Sequence, residues 1–214
     1  MANKKTSASK MNEEDVVPET DASKAFINFF ADELKKIYWA EKHLAKSLSK
    51  LLKAATARVL KDAFSNYREI TQTNIEKLEH IFDLVGQTRS VQKCETMAAL
   101  IQESQDLMDK TEKGAEIREV GLMMAAQKIA GFTTESYTTL LQLGRTMGNE
   151  DIITLLEDSL SSEIQVHDAS TLMAERGFYS DTSPVSSKKT QIPENNHIEA
   201  VYDSINLDGK QKLK

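Results

Sequence analysis

Proline is missing from most of this chain. Its three prolines, Pro18, Pro184 and Pro193, lie toward the two ends of the 214 residues, and none occurs between residues 19 and 183. A proline inside a helix costs about 3 kcal/mol, through its missing N–H and its ring clash, so the stretch between is free to be helical throughout. Cysteine is also scarce. The single Cys94 excludes an internal disulfide and any CxxC redox or zinc pair. With only Lys93 beside it as a positive neighbour, it reads as a small core residue rather than a reactive thiol. No apolar run approaches the roughly 20 residues a membrane-spanning helix requires, and the first residues, MANKKTSASKMNEEDVVPET, hold no hydrophobic segment. Neither a span nor a secretory leader is therefore expected, and the expected location is cytoplasmic. Positive charge is in deficit too: 27 Lys and Arg against 33 Asp and Glu leave a net charge of −6. That balance argues against a broad cationic surface, and so against nucleic-acid or membrane partners. Lys4, Lys5 and Lys10 are followed at once by Glu13, Glu14 and Asp15, so no DNA-grasping arm is expected.

What is present is helical periodicity. Residues 1–22 and 178–214 are polar with weak periodicity and read as disordered tails around a folded part spanning residues 23–177. In the first helical segment Ile27, Phe30, Leu34, Ile37, Leu44, Leu48 and Leu51 recur at spacings of three and four. Thr56 is the expected N-cap of a second segment, whose stripe runs from Val59 through Phe64, Tyr67, Ile70, Leu78 and Phe82 to Val85 and is closed by Gly86. A third long helix is expected from just after Gly114 to about Met147, with Met123, Met124 and Met147 as packing residues. Gly148 and Asn149 then make a C-cap followed by an N-cap. The fourth helix carries Ile153, Leu156 and Leu160 and stops near Gly177.

The connections divide these four helices into two tight antiparallel hairpins. Residues 87–116 join the hairpins and contain a short amphipathic piece, Cys94–Met108. A crossover of this length permits the connectivity of a ferritin-like four-helix bundle, with a short helix in the crossover between helices two and three. Such bundles hold metals in their core with inward-facing Glu and His, because hard carboxylate oxygens and imidazole suit iron or manganese. Glu41 lies on the core stripe between Ile37 and Leu44, and Glu163 lies three residues after Leu160 with His167 one turn further on. Glu69 and Glu135 point away from their stripes and read as surface carboxylates, and His43 and His80 read as solvent-facing. The inward faces of helices two and three offer Tyr67, Ile70, Thr71 and Asn74, and Ala126, Ala130, Thr133 and Tyr137. Neither face carries a carboxylate.

Three stretches resemble the YciE/YciF family of bacterial ferritin-like proteins: DELKKIYWAEKHL at 32–44, KCETMAALIQES at 93–104 and IREVGLMMAAQKI at 117–129. The second is the most specific, because Lys-Cys followed by Met and Leu-Ile at that spacing has no general helical reason. The resemblance covers residues 25–177 and implies a homodimer-forming bundle linked to stress responses, with a dinuclear metal centre. It places Glu41 at the family's helix-one glutamate and Glu163 at a helix-four glutamate. His167 stands where relatives carry an aspartate. Where relatives have a histidine and a glutamate on helix two, this chain has Tyr67 and Ile70; where they have two glutamates on helix three, it has Ala130 and Thr133.

The resulting expectation is a degenerate di-metal site in a structural or interaction bundle. Glu41, Glu163 and His167 would form a hydrogen-bonded cluster or hold iron or manganese at single-metal or lower stoichiometry. The alternative is a ferroxidase-like or peroxide-consuming oxidoreductase with an intact di-iron or manganese centre. A DNA-protecting shell is disfavoured by the acidic balance, and nothing points to a large storage cage. If Tyr38, Trp39 and Phe82 shared an outward face, they would suit an isologous dimer contact.

Overall fold

The computed structural model describes residues 21–176; the tails expected at either end otherwise lie outside the described residues. Within that range the chain is all-α and ferritin-like: α1 (Asp21–Ala54), α2 (Arg58–Leu84), α3 (Glu95–Lys110), α4 (Glu116–Met147) and α5 (Glu150–Arg176). Helices α1, α2, α4 and α5 are the four of the bundle, and α3 is the crossover piece. None of the described helices is long and apolar enough to cross a membrane.

Helix α1 packs against α2 and α4 against α5, and the hairpins close through α2–α5 and α1–α4 contacts, so α1 and α5 occupy diagonal corners. The stops follow from local chemistry. Gly86 and Gly148 adopt φ of 64° and 70°, a left-handed conformation that costs a Cβ-bearing residue more. Asn149 caps α5, its Oδ1 accepting from the Ile152 N–H at 3.1 Å. The α1–α2 turn differs from expectation. Thr56 is not the N-cap of α2; Ala57 is, and its side chain has nothing to offer. A carboxylate from another helix does this work: Glu119 of α4 accepts from the Thr56 N–H and hydroxyl, both at 2.8 Å, and from the Ala57 N–H at 3.2 Å. Negative charge at a helix N-terminus is favoured by the exposed N–H groups and the dipole.

Helix α3 is fastened to the bundle at both ends. The Gln92 N–H donates to the Lys35 carbonyl at 3.2 Å, and the Arg118 guanidinium donates to the Met108 and Thr111 carbonyls that end α3. Between these, Gly121 lets α4 approach closely: a Cβ there would stand 2.5 Å from Leu107 Cδ2.

Several expectations on individual side chains are corrected by packing. Tyr38 is 4% exposed and Phe82 fully buried; their rings meet edge to face at 5.4 Å. The proposed outward dimer face of Tyr38, Trp39 and Phe82 therefore does not form. His43 is half-buried rather than solvent-facing, because its ring stacks on Trp39 at 3.8 Å. Val59, in the first turn of α2, and Met124, beside buried Met123, face outward at 53% and 51% exposure.

Candidate functional site

The bundle core is two hydrophobic clusters, not one. The first is built around Leu44, Leu48, Phe64, Leu122 and Ile129; the second around Phe30, Leu34, Leu78, Phe82 and Leu156. Between them, near the middle of each long helix, lies a polar layer. Helix α1 contributes Glu41, α2 Thr71 and Asn74, α4 Thr133, and α5 Ser159 and Glu163, every one of them at most 1% exposed. Tyr67 and Tyr137, also buried, bracket the layer from the two clusters. A layer of this kind costs stability unless each polar atom finds a partner.

Glu163 is well provided for. Its Oε1 accepts from Asn74 Nδ2 at 2.8 Å, and its Oε2 from the Tyr67 hydroxyl at 3.2 Å and from the Thr133 hydroxyl. Tyr67 and Thr133 oxygens are themselves 3.1 Å apart, closing a triangle of three oxygens. Glu41 is the opposite case. Neither of its oxygens has a hydrogen-bond partner, and the same holds for Asn74 Oδ1, the Tyr137 hydroxyl, Thr71 Oγ1 and Ser159 Oγ. Asn74 and Tyr137 face Glu41 without reaching hydrogen-bond geometry.

The electrostatics follow from this asymmetry. Burial, then the neighbouring Glu163, push the Glu41 carboxyl well above the ordinary carboxylate range, with Tyr137 and Asn74 pulling weakly the other way. Burial also raises Glu163, to about 7, against the opposing effect of its donors Thr133, Tyr67 and Asn74. Burial of two adjacent carboxyls therefore favours a proton held by the pair. Burial, followed by the two carboxylates, raises both tyrosines as well, so Tyr67 and Tyr137 remain phenols that donate.

Hydrogen bookkeeping points the same way. A proton on Glu41 supplies the donor that Asn74 Oδ1 lacks and leaves an oxygen to accept from the Tyr137 hydroxyl. A small side-chain adjustment would thus satisfy four otherwise orphaned atoms.

A dinuclear iron or manganese centre does not fit this donor set. Such a centre draws carboxylates from all four helices, and the polar layer holds only Glu41 and Glu163. Ile70 is half-buried and Ala130 buried, neither able to ligate a metal, and Glu163 already spends both oxygens on protein donors. A single ion would meet a smaller set, the two free oxygens of Glu41 and Asn74 Oδ1.

His167 is not brought to the pair. Its side chain is 38% exposed, its Nδ1 lies 3.9 Å from Asp168 Oδ1, and its Nε2 would be 3.6 Å from a Cβ added at Gly131. Four residues along a helix advance a side chain by about 40° and one turn. From Glu163 that step carries His167 out of the core into the α4–α5 seam, into the space Gly131 leaves. Among the described residues no group of three or more His, Cys, Asp or Glu side chains is placed to hold a metal. Glu69 and Glu135 are exposed, as expected. Sequence reasoning missed Ser159, four residues before Glu163 on the same face, and Glu119, a buried carboxylate on α4 that serves the α1–α2 turn instead of the layer.

Residues 26–182 match a family described as a domain of unknown function, DUF892. Protein YciF of Escherichia coli K12 is 32% identical over 141 residues, 65% of this chain and 84% of YciF. The crystal structure of the E. coli stress protein YciF superposes with a TM-score of 0.67 at 30% identity, over 71% of this chain and 95% of the other. YcfI from Rhodopseudomonas palustris superposes with a TM-score of 0.66 at 26% identity, covering 70% and 94%. The family match, the identity and the shared bundle agree: this chain belongs to the YciE/YciF (DUF892) family of ferritin-like proteins.

Proposed function

We propose that this chain works as a non-catalytic structural or partner-binding bundle of the YciE/YciF type, its di-metal site replaced by a protonated polar layer. The observation that carries this reading is the donor set. Glu163 is committed to Asn74, Tyr67 and Thr133, while Ile70 and Ala130 bring no oxygen or nitrogen side-chain atom to the core. Redox cycling of iron or manganese needs anionic ligands that hold both oxidation states, and one proton-sharing pair does not supply them. The description of the E. coli relative as a stress protein supports a stress-associated role; a cytoplasmic location and a homodimer complete the proposal, the second on the family resemblance alone.

A second reading rests on the same orphaned atoms. Glu41 and Asn74 Oδ1, which lack hydrogen-bond partners, would accept one iron or manganese ion in place of the proton. A ferroxidase-like oxidoreductase would need further ligands at positions 70, 130 and 133.

The direct test is oxidation of Fe(II) by oxygen and by hydrogen peroxide, followed by absorbance, with wild type and E41Q/E163Q in parallel. Rates equal to the protein-free control in both proteins are expected. Turnover in wild type that disappears in the variant would overturn the non-catalytic reading.

A further inference from the structure

The net charge of −6 conceals a separation of charge. From Lys42 to Lys61 the chain holds Lys42, Lys46, Lys50, Lys53, Arg58 and Lys61 and no Asp or Glu; from Glu150 to Glu175 it holds seven Asp and Glu and no Lys or Arg. Lys42, Lys46, Lys50 and Lys53 recur at four, four and three residues, form one outward stripe on α1 and are all exposed. Across an open groove of about 600 Å³ between α1 and α2 stands Arg68. Of the two carboxylates lining that groove, Glu79 is engaged by Tyr38 and Arg89, leaving only Glu69. Charge–dipole attraction at the C-terminus of α1 accounts for Lys53, but it fades within the last turn and does not reach Lys42, Lys46 or Lys50.

Helix α5 mirrors this pattern with opposite sign. Of its seven acids only Glu163 is buried; Glu150, Asp151, Glu157, Asp158, Asp168 and Glu175 are exposed. Glu157 pairs with Arg145 of α4 at 2.8 Å, and among the described residues Asp168 has only His167, at 3.9 Å. The cationic stripe from Lys42 to Lys53 extends about 16 Å at 1.5 Å per residue, and the exposed acids of α5 are spread over about 37 Å, from Glu150 to Glu175. Because α1 and α5 sit at diagonal corners, one chain cannot bring the two stripes together.

We propose that the α1–α2 cationic stripe docks the acidic α5 face of a second copy of this chain, a head-to-tail contact separate from any isologous dimer. Opposite charge on two corners of one molecule favours this occupant. A nucleic acid would meet the same overall negative charge and an acidic corner with no stripe of its own to offset either. Single exposed pairs contribute little, so the contact is weak, depends on several pairs at once and is screened by salt. Repeated from copy to copy it is heterologous, giving a ring if the rotation closes and a chain if it does not.

The test is sedimentation velocity on the full chain at about 50 mM and about 500 mM NaCl, between which the screening length falls from about 14 Å to about 4 Å. Wild type, K46E/K50E, D158K/D168K and an equimolar mixture of the two variants are compared, with helicity measured for each. The expected result is a mass that grows with concentration only in low salt for wild type. Each variant alone should stay at the high-salt mass, and the mixture should recover the growth, since each variant keeps the face the other lacks. A mass independent of salt overturns the proposal, as does growth that persists in both variants. Binding of a short DNA duplex that K46E/K50E abolishes, without self-association of wild type, overturns it in favour of a phosphate polymer.

Discussion

Replacing Glu163 with glutamine should remove its share of a pH dependence that wild type shows between about pH 4.5 and 7, leaving that of Glu41. In the folded chain burial raises the Glu163 carboxyl from 4.5 to about 7. Between those values the folded state binds a proton that the unfolded chain has released, so stability falls as pH rises. The contribution is fully present below the unfolded value and is lost as pH passes through 7. A difference of about 2.5 units at 1.36 kcal/mol each amounts to roughly 3 kcal/mol. Glutamine fits the same pocket: Oε1 accepts from Asn74 Nδ2, and Nε2 donates to the Tyr67 and Thr133 oxygens that now face Oε2. Chemical denaturation of wild type and E163Q from pH 5 to 8.5, in the presence of a chelator, isolates this pair, because surface carboxylates cancel in the difference. Near pH 5 the two proteins should be within about 1 kcal/mol. By pH 8 the variant should be the more stable by roughly 3 kcal/mol. A difference that does not change with pH, or one in which wild type gains on the variant as pH rises, refutes a proton-holding layer. The latter is the pattern expected of a carboxylate that works ionised.

Further expectations follow from the packing. Glu119→Ala removes the acceptor shared by the Thr56 and Ala57 N–H groups and should cost about 2 kcal/mol in urea denaturation, with Glu119→Gln costing less; equal stability would mean that water replaces the carboxylate. Gly121→Ala drives a methyl into Leu107 and should speed hydrogen exchange across residues 95–110 while sparing the α1–α2 hairpin; unchanged protection of α3 would show that Leu107 simply swings aside. Ile70→Glu combined with Ala130→Glu adds two carboxylates to the layer. The metal-free double variant should be destabilised by several kcal/mol, since unpaired buried charge is costly, and should regain stability with Mn(II) or Fe(II). Failure of metal to rescue it would mean that the backbone no longer places those positions for ligation.

The helices were legible because their signals are local. Apolar spacing, the proline-free interior, and Gly86, Gly148 and Asn149 as punctuation locate four long helices and the crossover piece within a few residues of their observed bounds. The α2 cap was not legible, since Thr56 is served by Glu119 from 63 residues away, and no local pattern reports that partner. Glu41 and Glu163 could be read as inward because each sits among core leucines and isoleucines at helical spacing. His167 could not be placed from spacing alone: a step of four residues fixes its side of α5 only to about 40°, and the seam at Gly131 decides the outcome. Tyr38 lies off the α1 stripe, and only the α1–α2 crossing, which sets its ring against buried Phe82, shows that it is buried too. Net charge misled in another way, because a sum of −6 hides a cationic stripe on α1 and an anionic one on α5.

Metal content measured by mass spectrometry tests the central claim most directly. The purified full chain would be measured as isolated and after anaerobic loading with Fe(II) or Mn(II), beside E41Q/E163Q. The degenerate layer predicts no more than about one ion per chain in wild type under either condition, with any ion present lost in the variant. About two ions per chain, bound by wild type and lost in the variant, would contradict it and restore the dinuclear oxidoreductase reading.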